Sequence, residues 1–567
     1  MKQRSVFLLF VVCFAFLLHP AAQNSSADAL ATAQKVIRPE QIRAHIRFLA
    51  DNLLAGRAPG TPGYDIAAHY VATELEGMGL RPGASGGWFQ PVPLQTAVTD
   101  RSASSLVLTV KGKEQKLTDA KDYVLSTWFA SPGGGNKKTA ESDVSAPLVF
   151  VGFGVTAPDQ HYDDYAGVDV RDKIVVSLYG APATFPSTER AYYSDGIVKA
   201  RNAVAHRAVG ILELLTPEDQ KRYAWEWLVP QIQVGEMHWL GTDNIPHDFF
   251  PEIRGKALLS RQGAELLFAG APKSLDEVFA TAQAGKSQSF ALPASAHIHT
   301  VAAQGTIHSP NIIAELKGSD PTLRDQYVVY TAHVDHLGIC PAVEGDNVCH
   351  GAIDNGSGTS TLLEIARAYS SLPTPPRRSI LFVFVTGEEM GLLGSDYFAH
   401  FPTVPLKSIV ANVNIDGAPG IYFPMKDVVA LGAEHSSLGA DSSSAGKTLG
   451  YSLSPDPMPE EVAFIRSDQY SFVLRGIPAV DISDGINAID PKINGLEVIK
   501  KWLVTRYHTP LDNMDQPIDF DSAAKGAVMN FLVGYQIAQH DQAPEWNKGD
   551  FFGATFGPHR LAEKAEE

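Results

Sequence analysis

The sequence predicts an α/β protein, with a mixed, mostly parallel central sheet flanked by helices and a β-rich module inserted into it. Three observations carry that expectation. Apolar runs of strand length, Tyr327–Tyr330 and Ile380–Val385, bracket a helical pattern over Gly358–Ser371, and a further run, Ser408–Ile415, follows; buried strands alternating with helices are the pattern of a parallel sheet. Each of these runs leads into residues able to bind metal, and ligands gather at the carboxyl ends of strands in such sheets. Ahead of them lies a composition shift: residues 98–147 turn polar and rich in Gly, Ser and Lys, and only short β runs follow until the alternation resumes at His297.

A length of 567 residues implies two folded units plus extensions. With 44% hydrophobic and 19% charged residues the composition is globular. The net charge of −17 repels phosphate backbones, which excludes a nucleic-acid partner.

Residues 1–22 read as a secretory signal peptide. Lys2 and Arg4 precede the apolar run Val6–Leu18, then small residues and Asn-Ser-Ser, and the run is too short for a membrane span. Cleavage is expected after Ala22 or Ala29. The mature chain is therefore expected to be exported, to the periplasm or beyond the cell, with no stable membrane span and as a monomer.

Pro39–Asp51 is a helical pattern with Pro near its start, and Tyr64–Met78 is a second, stopped by Gly79. Gly83–Gly87 matches a nucleophile elbow around Ser85, but it follows a helix stop instead of a strand and reads as a loop. Ser131–Lys138 is a loop by composition. Short β runs at Leu148–Phe153, Lys173–Leu178 and Gly210–Leu214 surround a helical segment, Ile197–Ala208. In the host, Ser522–Gln539 is a last apolar helix and Ala543–Glu567 a polar tail. Cys340 and Cys349 bracket a turn-rich loop. In an exported chain they predict a disulfide, with two free thiols or a zinc-binding pair as the competing readings.

Five residues have the chemistry and placement for a two-metal site: His333, Asp354, Glu389, Asp416 and His508. A lone His after a strand is more often structural, and a Glu-Glu pair is more often solvated surface. Here all of them fall at strand ends or in turn-rich loops. If Asp354 bridges, each metal receives one imidazole, one private carboxylate and the shared one, leaving a position for a shared water. Mixed N/O ligation with open positions fits catalytic zinc, and a metal pair polarises a carbonyl while generating the nucleophile. Glu388, beside the ligand Glu389, is free to take the water's proton. Asp335 and Asp512 are expected to hold the second nitrogens of His333 and His508.

Thr331-Ala-His-Val-Asp-His336, Asp354-Asn-Gly-Ser-Gly358, Gly387-Glu-Glu-Met-Gly-Leu-Leu-Gly-Ser395, Asn414-Ile-Asp-Gly417, Arg466-Ser-Asp-Gln-Tyr-Ser-Phe472, Gly476-Ile-Pro-Ala479 and Tyr507-His-Thr-Pro-Leu-Asp512 occur in that order. The set resembles the co-catalytic di-zinc aminopeptidases of metallopeptidase clan MH, which also holds bacterial leucyl aminopeptidases, glutamate carboxypeptidase and the transferrin receptor. Val149-Phe-Val-Gly-Phe-Gly154 and Tyr162-Asp-Asp-Tyr-Ala-Gly167 resemble the protease-associated domain that such enzymes carry. The resemblance implies a zinc-dependent exopeptidase fold of the phosphorylase/hydrolase-like type. It divides the chain into a catalytic domain over 30–114 and 296–541, an inserted protease-associated-like domain over 115–295, and a tail over 542–567.

It also implies two Zn²⁺ ions, with His333 and Asp416 on one, Glu389 and His508 on the other, Asp354 bridging and Glu388 as general base. The peptide after Asp354 would be cis. Tyr507 matches a tyrosine that stabilises the oxyanion and Arg466 an arginine beside the substrate, whereas Gln469 stands where the family often has His or Tyr. The expected activity is that of an aminopeptidase acting on peptides with a free N-terminus, through a hydroxide activated by both metals. A glutamate-carboxypeptidase-like enzyme on the same site is the alternative. A glutaminyl-cyclase-like enzyme and a metal-free, receptor-like binding protein are further from the motifs.

Overall fold

The computed structural model describes residues 26–129, 138–286 and 288–557. The expected leader, residues 1–22, and most of the Ser131–Lys138 loop lie outside the described residues.

The host is an α/β fold around a mixed, mostly parallel sheet. Tyr327–His333 lies at its centre, parallel to Ser379–Val385 on one side and to Ile409–Asn414 on the other. Ala479–Asp484 extends the parallel set beyond Ile409–Asn414, and Asp427–Leu431 closes it antiparallel. All side chains of Tyr327–His333 and Ser379–Val385 are buried, as expected for strands covered by helices on both faces. The helices Gly358–Ser370 and Phe520–Gln539 pack on one face through Leu362, Ile365, Phe531 and Val533, joined by Ile42, Ile46 and Val71 from the N-terminal helices Pro39–Leu49 and Pro62–Gly77. On the other face Phe398 and Phe472 pack against Val329, Leu381 and Val383.

Ser289–Leu316, a strand of 28 residues, joins host to insertion. Its end, Ile312–Leu316, pairs antiparallel with Ser379–Val385, while its beginning pairs with Ser105–Val110 and Thr139–Val151. The inserted body has its own core, built from Leu106, Leu148, Phe150, Val176, Leu212 and Ile298 among others. Inside it, Leu148–Phe150, Ile174–Leu178, Gly210–Leu214 and Lys256–Leu259 run parallel, so this body is a mixed α/β layer with helices such as Gly196–Ala205 and Leu275–Gln283.

One expectation needs correction, and one stretch holds more structure than its composition indicates. The polar stretch 98–147 contains Ser105–Val110, Lys113–Lys116, Tyr123–Leu125 and much of Thr139–Val151. In the last of these, Ala140, Ser142, Val144, Ala146 and Leu148 alternate inward with polar residues outward. A half-buried strand needs apolar or small residues at only every second position. The correction concerns the segment after Ala543, which is not a free polar tail. Trp546, Phe551, Phe552 and Phe556 fold back onto the core under the host sheet, where Phe552 is fully buried and the Trp546 indole N–H donates to the Gly476 carbonyl at 2.9 Å. Four aromatic rings outweigh their polar neighbours. No helix among the described residues is long and apolar enough to cross a membrane.

Candidate metal centre

The carboxyl ends of the three parallel strands bring the predicted residues together. His333 ends Tyr327–His333, Glu388 and Glu389 follow Ser379–Val385, and Asp416 follows Ile409–Asn414. Asp354 comes from the turn before the Gly358–Ser370 helix, where the Asp354–Asn355 peptide is cis. His508 arrives from a loop near the C-terminus with φ of 57°, a left-handed conformation rare for a non-glycine residue.

The two carboxylate oxygens of Asp354 face different imidazoles: Oδ1 lies 3.4 Å from His333 Nε2 and Oδ2 lies 3.3 Å from His508 Nε2. His333 Nε2 is also 3.3 Å from Asp416 Oδ1, and His508 Nε2 is 3.0 Å from Glu389 Oε2. Asp354 thus stands between two His–carboxylate pairs. Donor atoms of His333, Glu388 and Asp416, and separately of His333, Asp354 and Glu389, lie within 4.8 Å of one another. Asp354 Oδ2 and His508 Nε2 are buried and carry no hydrogen bond. Buried polar atoms left unpaired are costly, and cations between these groups would satisfy both. The donor set, two imidazoles and several carboxylates, suits zinc.

Glu388 Oε2 sits 3.8 Å from His333 Nε2 and its backbone N–H donates to Asp335 Oδ1 at 3.3 Å. Burial drives the Glu388 carboxyl well above the ordinary range; the His333 imidazole opposes this, while Asp416 and Glu389 reinforce it. A buried carboxylate with a raised affinity for protons is suited to proton transfer.

Both second-nitrogen partners differ from expectation. Asp335 does meet His333, but through its backbone: Nδ1 lies 3.2 Å from the Asp335 carbonyl and 3.9 Å from its carboxylate. The carboxylate is turned to the Glu388 N–H instead. Asp512 accepts from the backbone N–H groups of Ile353 at 2.9 Å and Asp354 at 3.0 Å, and from Gln516. It therefore positions the Asp354 turn and not the His508 ring, because the turn presents two inward N–H groups that need an acceptor. Asp512→Ala is expected to weaken zinc retention about 10–100-fold, the usual cost of removing an outer partner of a metal site; chelator competition measures it, and unchanged retention contradicts this positioning role.

Three further residues belong to the site. His336 Nδ1 lies 2.6 Å from Glu389 Oε1 while its Nε2 is buried and unpaired. Its place in the same strand-end segment as His333 was the available signal. Asp468 is fully buried, both of its oxygens lack a hydrogen bond, and burial raises its carboxyl to about 6 despite the His333 imidazole. Arg57 is 1% exposed and donates to the carbonyls of Leu49, Val334, His350 and Gly351, tying together the loops on either side of His333 and Asp354. Burial lowers the Arg57 guanidinium to about 10, with Asp335, Asp512, Asp354 and Glu389 opposing that shift. In the sequence it sits in a Gly/Pro turn cluster, hundreds of positions from most of what it holds.

A cleft of about 240 Å³ opens beside the cluster. Asp354, Glu388, Asp416, Arg466 and Tyr507 form its polar side, and Ile421, Tyr422, Met458, Trp502 and Leu503 are among its apolar lining. Tyr507 stacks on His508 with ring centroids 3.7 Å apart, and the exposed Arg466 donates to its hydroxyl at 3.2 Å. Gln469 is fully buried, with its amide N–H donating to the Phe464 carbonyl at 2.8 Å and its amide oxygen accepting from Asn414, so it does not face the cleft. The insertion reaches the rim, where Arg222 donates to the Glu460 carbonyl at 2.7 Å and pairs with Glu461 at 3.2 Å. Cys340 and Cys349 form a disulfide across the hairpin of Gly338–Val343 and Asp346–Cys349, five residues beyond His333 in sequence at its nearest strand start.

Residues 311–531, which include every ligand candidate above, match the sequence profile of Peptidase family M28. Aminopeptidase YwaD of Bacillus subtilis is 31% identical over 212 residues, covering 36% of this chain and 40% of that protein. A probable leucine aminopeptidase 2 of Aspergillus oryzae is 27% identical over 215 residues, again 36% and 40%. The chain thus spans about two fifths of the length of these curated relatives, 40% in each case. Among solved structures, an aminopeptidase from Aneurinibacillus sp. strain AM-1 superposes over 91% of this chain and 97% of its own, with a TM-score of 0.52 at 20% identity, a likeness of fold.

Proposed function

We propose that this chain, in which residues 311–531 match Peptidase family M28, is an exported zinc-dependent aminopeptidase that hydrolyses N-terminal peptide bonds. The observation that carries the choice of substrate end is the make-up of the cleft. Seven of its lining residues are acidic (Asp354, Glu388, Asp416, Asp456, Glu461, Asp481 and Asp484) and Arg466 is the single Lys or Arg among them. Burial raises the carboxyls of Glu388, Asp456, Asp481 and Asp484, so what the lining offers is hydrogen-bond acceptors more than net charge. Such a lining suits a substrate's free ammonium better than a C-terminal carboxylate. A glutamate-releasing carboxypeptidase needs several cations there.

Zinc held by His333, Asp416, Asp354, Glu389 and His508 would acidify a water and polarise the scissile carbonyl. The remaining work falls to the chain. Glu388 accepts the water's proton and returns it to the leaving amine. The Tyr507 hydroxyl, held by Arg466, donates to the carbonyl oxygen as negative charge builds on it. Tyr422, Trp502 and Leu503 exclude water from the side of the cleft that receives the first side chain. The host carries the chemistry, and the insertion, which we read as a protease-associated-like domain with a core reaching from Leu106 to Ile298, shapes the rim through Arg222. The disulfide is compatible with an oxidising compartment.

Hydrolysis of N-blocked against C-blocked dipeptides, with and without chelator and added zinc, tests the proposal. Cleavage of the C-blocked set alone, abolished by chelator and restored by zinc, is expected. Cleavage of the N-blocked set would favour the carboxypeptidase. Tyr507→Phe is expected to lower kcat about 10²-fold or more with little change in KM, the size of losing one donor to the oxyanion; a loss confined to KM would place Tyr507 in binding.

A further inference from the structure

We infer that a second, structural metal site for a divalent transition ion, zinc above all, lies between the insertion and the host at His247, Asp396 and His400. Asp396 and His400 are one turn apart on the helix Leu393–His400, so their side chains emerge on the same face. His247 comes from the insertion. One ligand atom from each of the three lies within 4.8 Å of the others, a property that, among the described residues, only this group shares with the groups at the strand ends.

The separations fit a coordination shell. His247 Nε2 is 3.5 Å from Asp396 Oδ2 and the two imidazole centroids are 4.7 Å apart, while His400 Nδ1 turns to its own helix, 3.3 Å from Asp396 Oδ1. Zinc–nitrogen and zinc–oxygen bonds of about 2.0–2.1 Å place tetrahedral donors about 3.4 Å apart. Two imidazoles and one carboxylate form a donor set that suits zinc, with a position left for water. The surroundings are those of an oriented site. The Trp239 indole N–H donates to Asp396 Oδ2 at 2.7 Å, and its ring stacks on His247 at 4.0 Å. Leu393 and Tyr397 pack around Trp239. Asp248 also approaches His247 Nε2 at 3.4 Å, but Arg201 holds its other oxygen at 2.6 Å.

A hydrogen-bonded network without metal accounts for part of this. Trp239–Asp396 is a sound hydrogen bond, and His400 Nδ1 lies 2.9 Å from the Asp396 carbonyl, which leaves His400 Nε2 as the ligand atom. It does not account for His247, whose Nε2 faces two carboxylates at 3.4 and 3.5 Å and hydrogen-bonds neither. An ion there joins the insertion to the helix that begins four residues after Glu389, and so fastens the loop carrying Glu388 and Glu389 from behind.

The test is elemental analysis of the full chain and of His247→Ala/His400→Ala after metal depletion, reloading with Zn²⁺ and desalting. The double variant is expected to hold one zinc fewer than wild type, whatever the content of the His333–His508 centre, and to melt at the wild-type temperature when both are metal-free but lower when both are loaded. Equal zinc content in wild type and folded double variant overturns the inference. If the variant does not fold, zinc-edge anomalous diffraction from wild-type crystals decides: a peak between His247 and His400 supports the site and its absence removes it. Loss of zinc at the His333–His508 centre alone would count against the aminopeptidase proposal and leave this one standing.

Discussion

Replacing Glu388 with Ala is expected to lower kcat by about 10²–10⁴-fold, the range for loss of a positioned general base, while zinc content stays at the wild-type value. The physical basis is its position: within 3.8 Å of His333 Nε2 and lining the cleft, yet outside the two His–carboxylate pairs that flank Asp354. Zinc analysis and kinetics on one preparation separate the possibilities. Retained turnover removes Glu388 from proton transfer, and loss of an ion makes it a ligand, a role its proximity to His333 and Asp416 also allows.

Asp354→Ala carries the second large effect. It removes the group that faces both imidazoles, so both ions of the centre should be lost together, with kcat/KM falling about 10³-fold or more as several kcal/mol of charge stabilisation disappear. Chelation of the wild-type protein should reproduce the activity loss, and added zinc should restore only the wild type. A variant that keeps one ion, or half its activity, would mean that Asp354 serves a single metal.

What made the centre legible in the sequence was its local grammar. His333, Glu389 and Asp416 each follow an apolar run that can only be a buried strand, and parallel strands place their carboxyl ends side by side. Asp354 and His508, in turn-rich loops, joined the set by their chemistry and placement, and the family resemblance then implied which ion each residue would hold. The supporting residues were hidden because their partners are backbone groups remote in sequence. Nothing around Arg57 indicates that it will hold the carbonyls of Val334, His350 and Gly351. Asp512 looked like a partner for its neighbour His508, but the unpaired N–H groups of the Asp354 turn claimed it.

The insertion was harder to read for a different reason. Strands such as Thr139–Val151 bury alanine, serine and valine at alternate positions, a pattern that composition reports as polar. The long strand Ser289–Leu316 belongs to two cores at once, so no single boundary separates insertion from host along it. The aromatic residues after Ala543 were scattered among charged ones and read as tail, although four of them pack into the core that also holds Val429 and Leu431 of the Asp427–Leu431 strand.

Zinc-edge anomalous diffraction from crystals of the full chain tests the central claim most directly. Two peaks about 3.5–4 Å apart, flanking Asp354 with His333 and Asp416 around one and Glu389 and His508 around the other, are the predicted result. No peak among those five side chains, or a single ion bound on one side of Asp354, would contradict it.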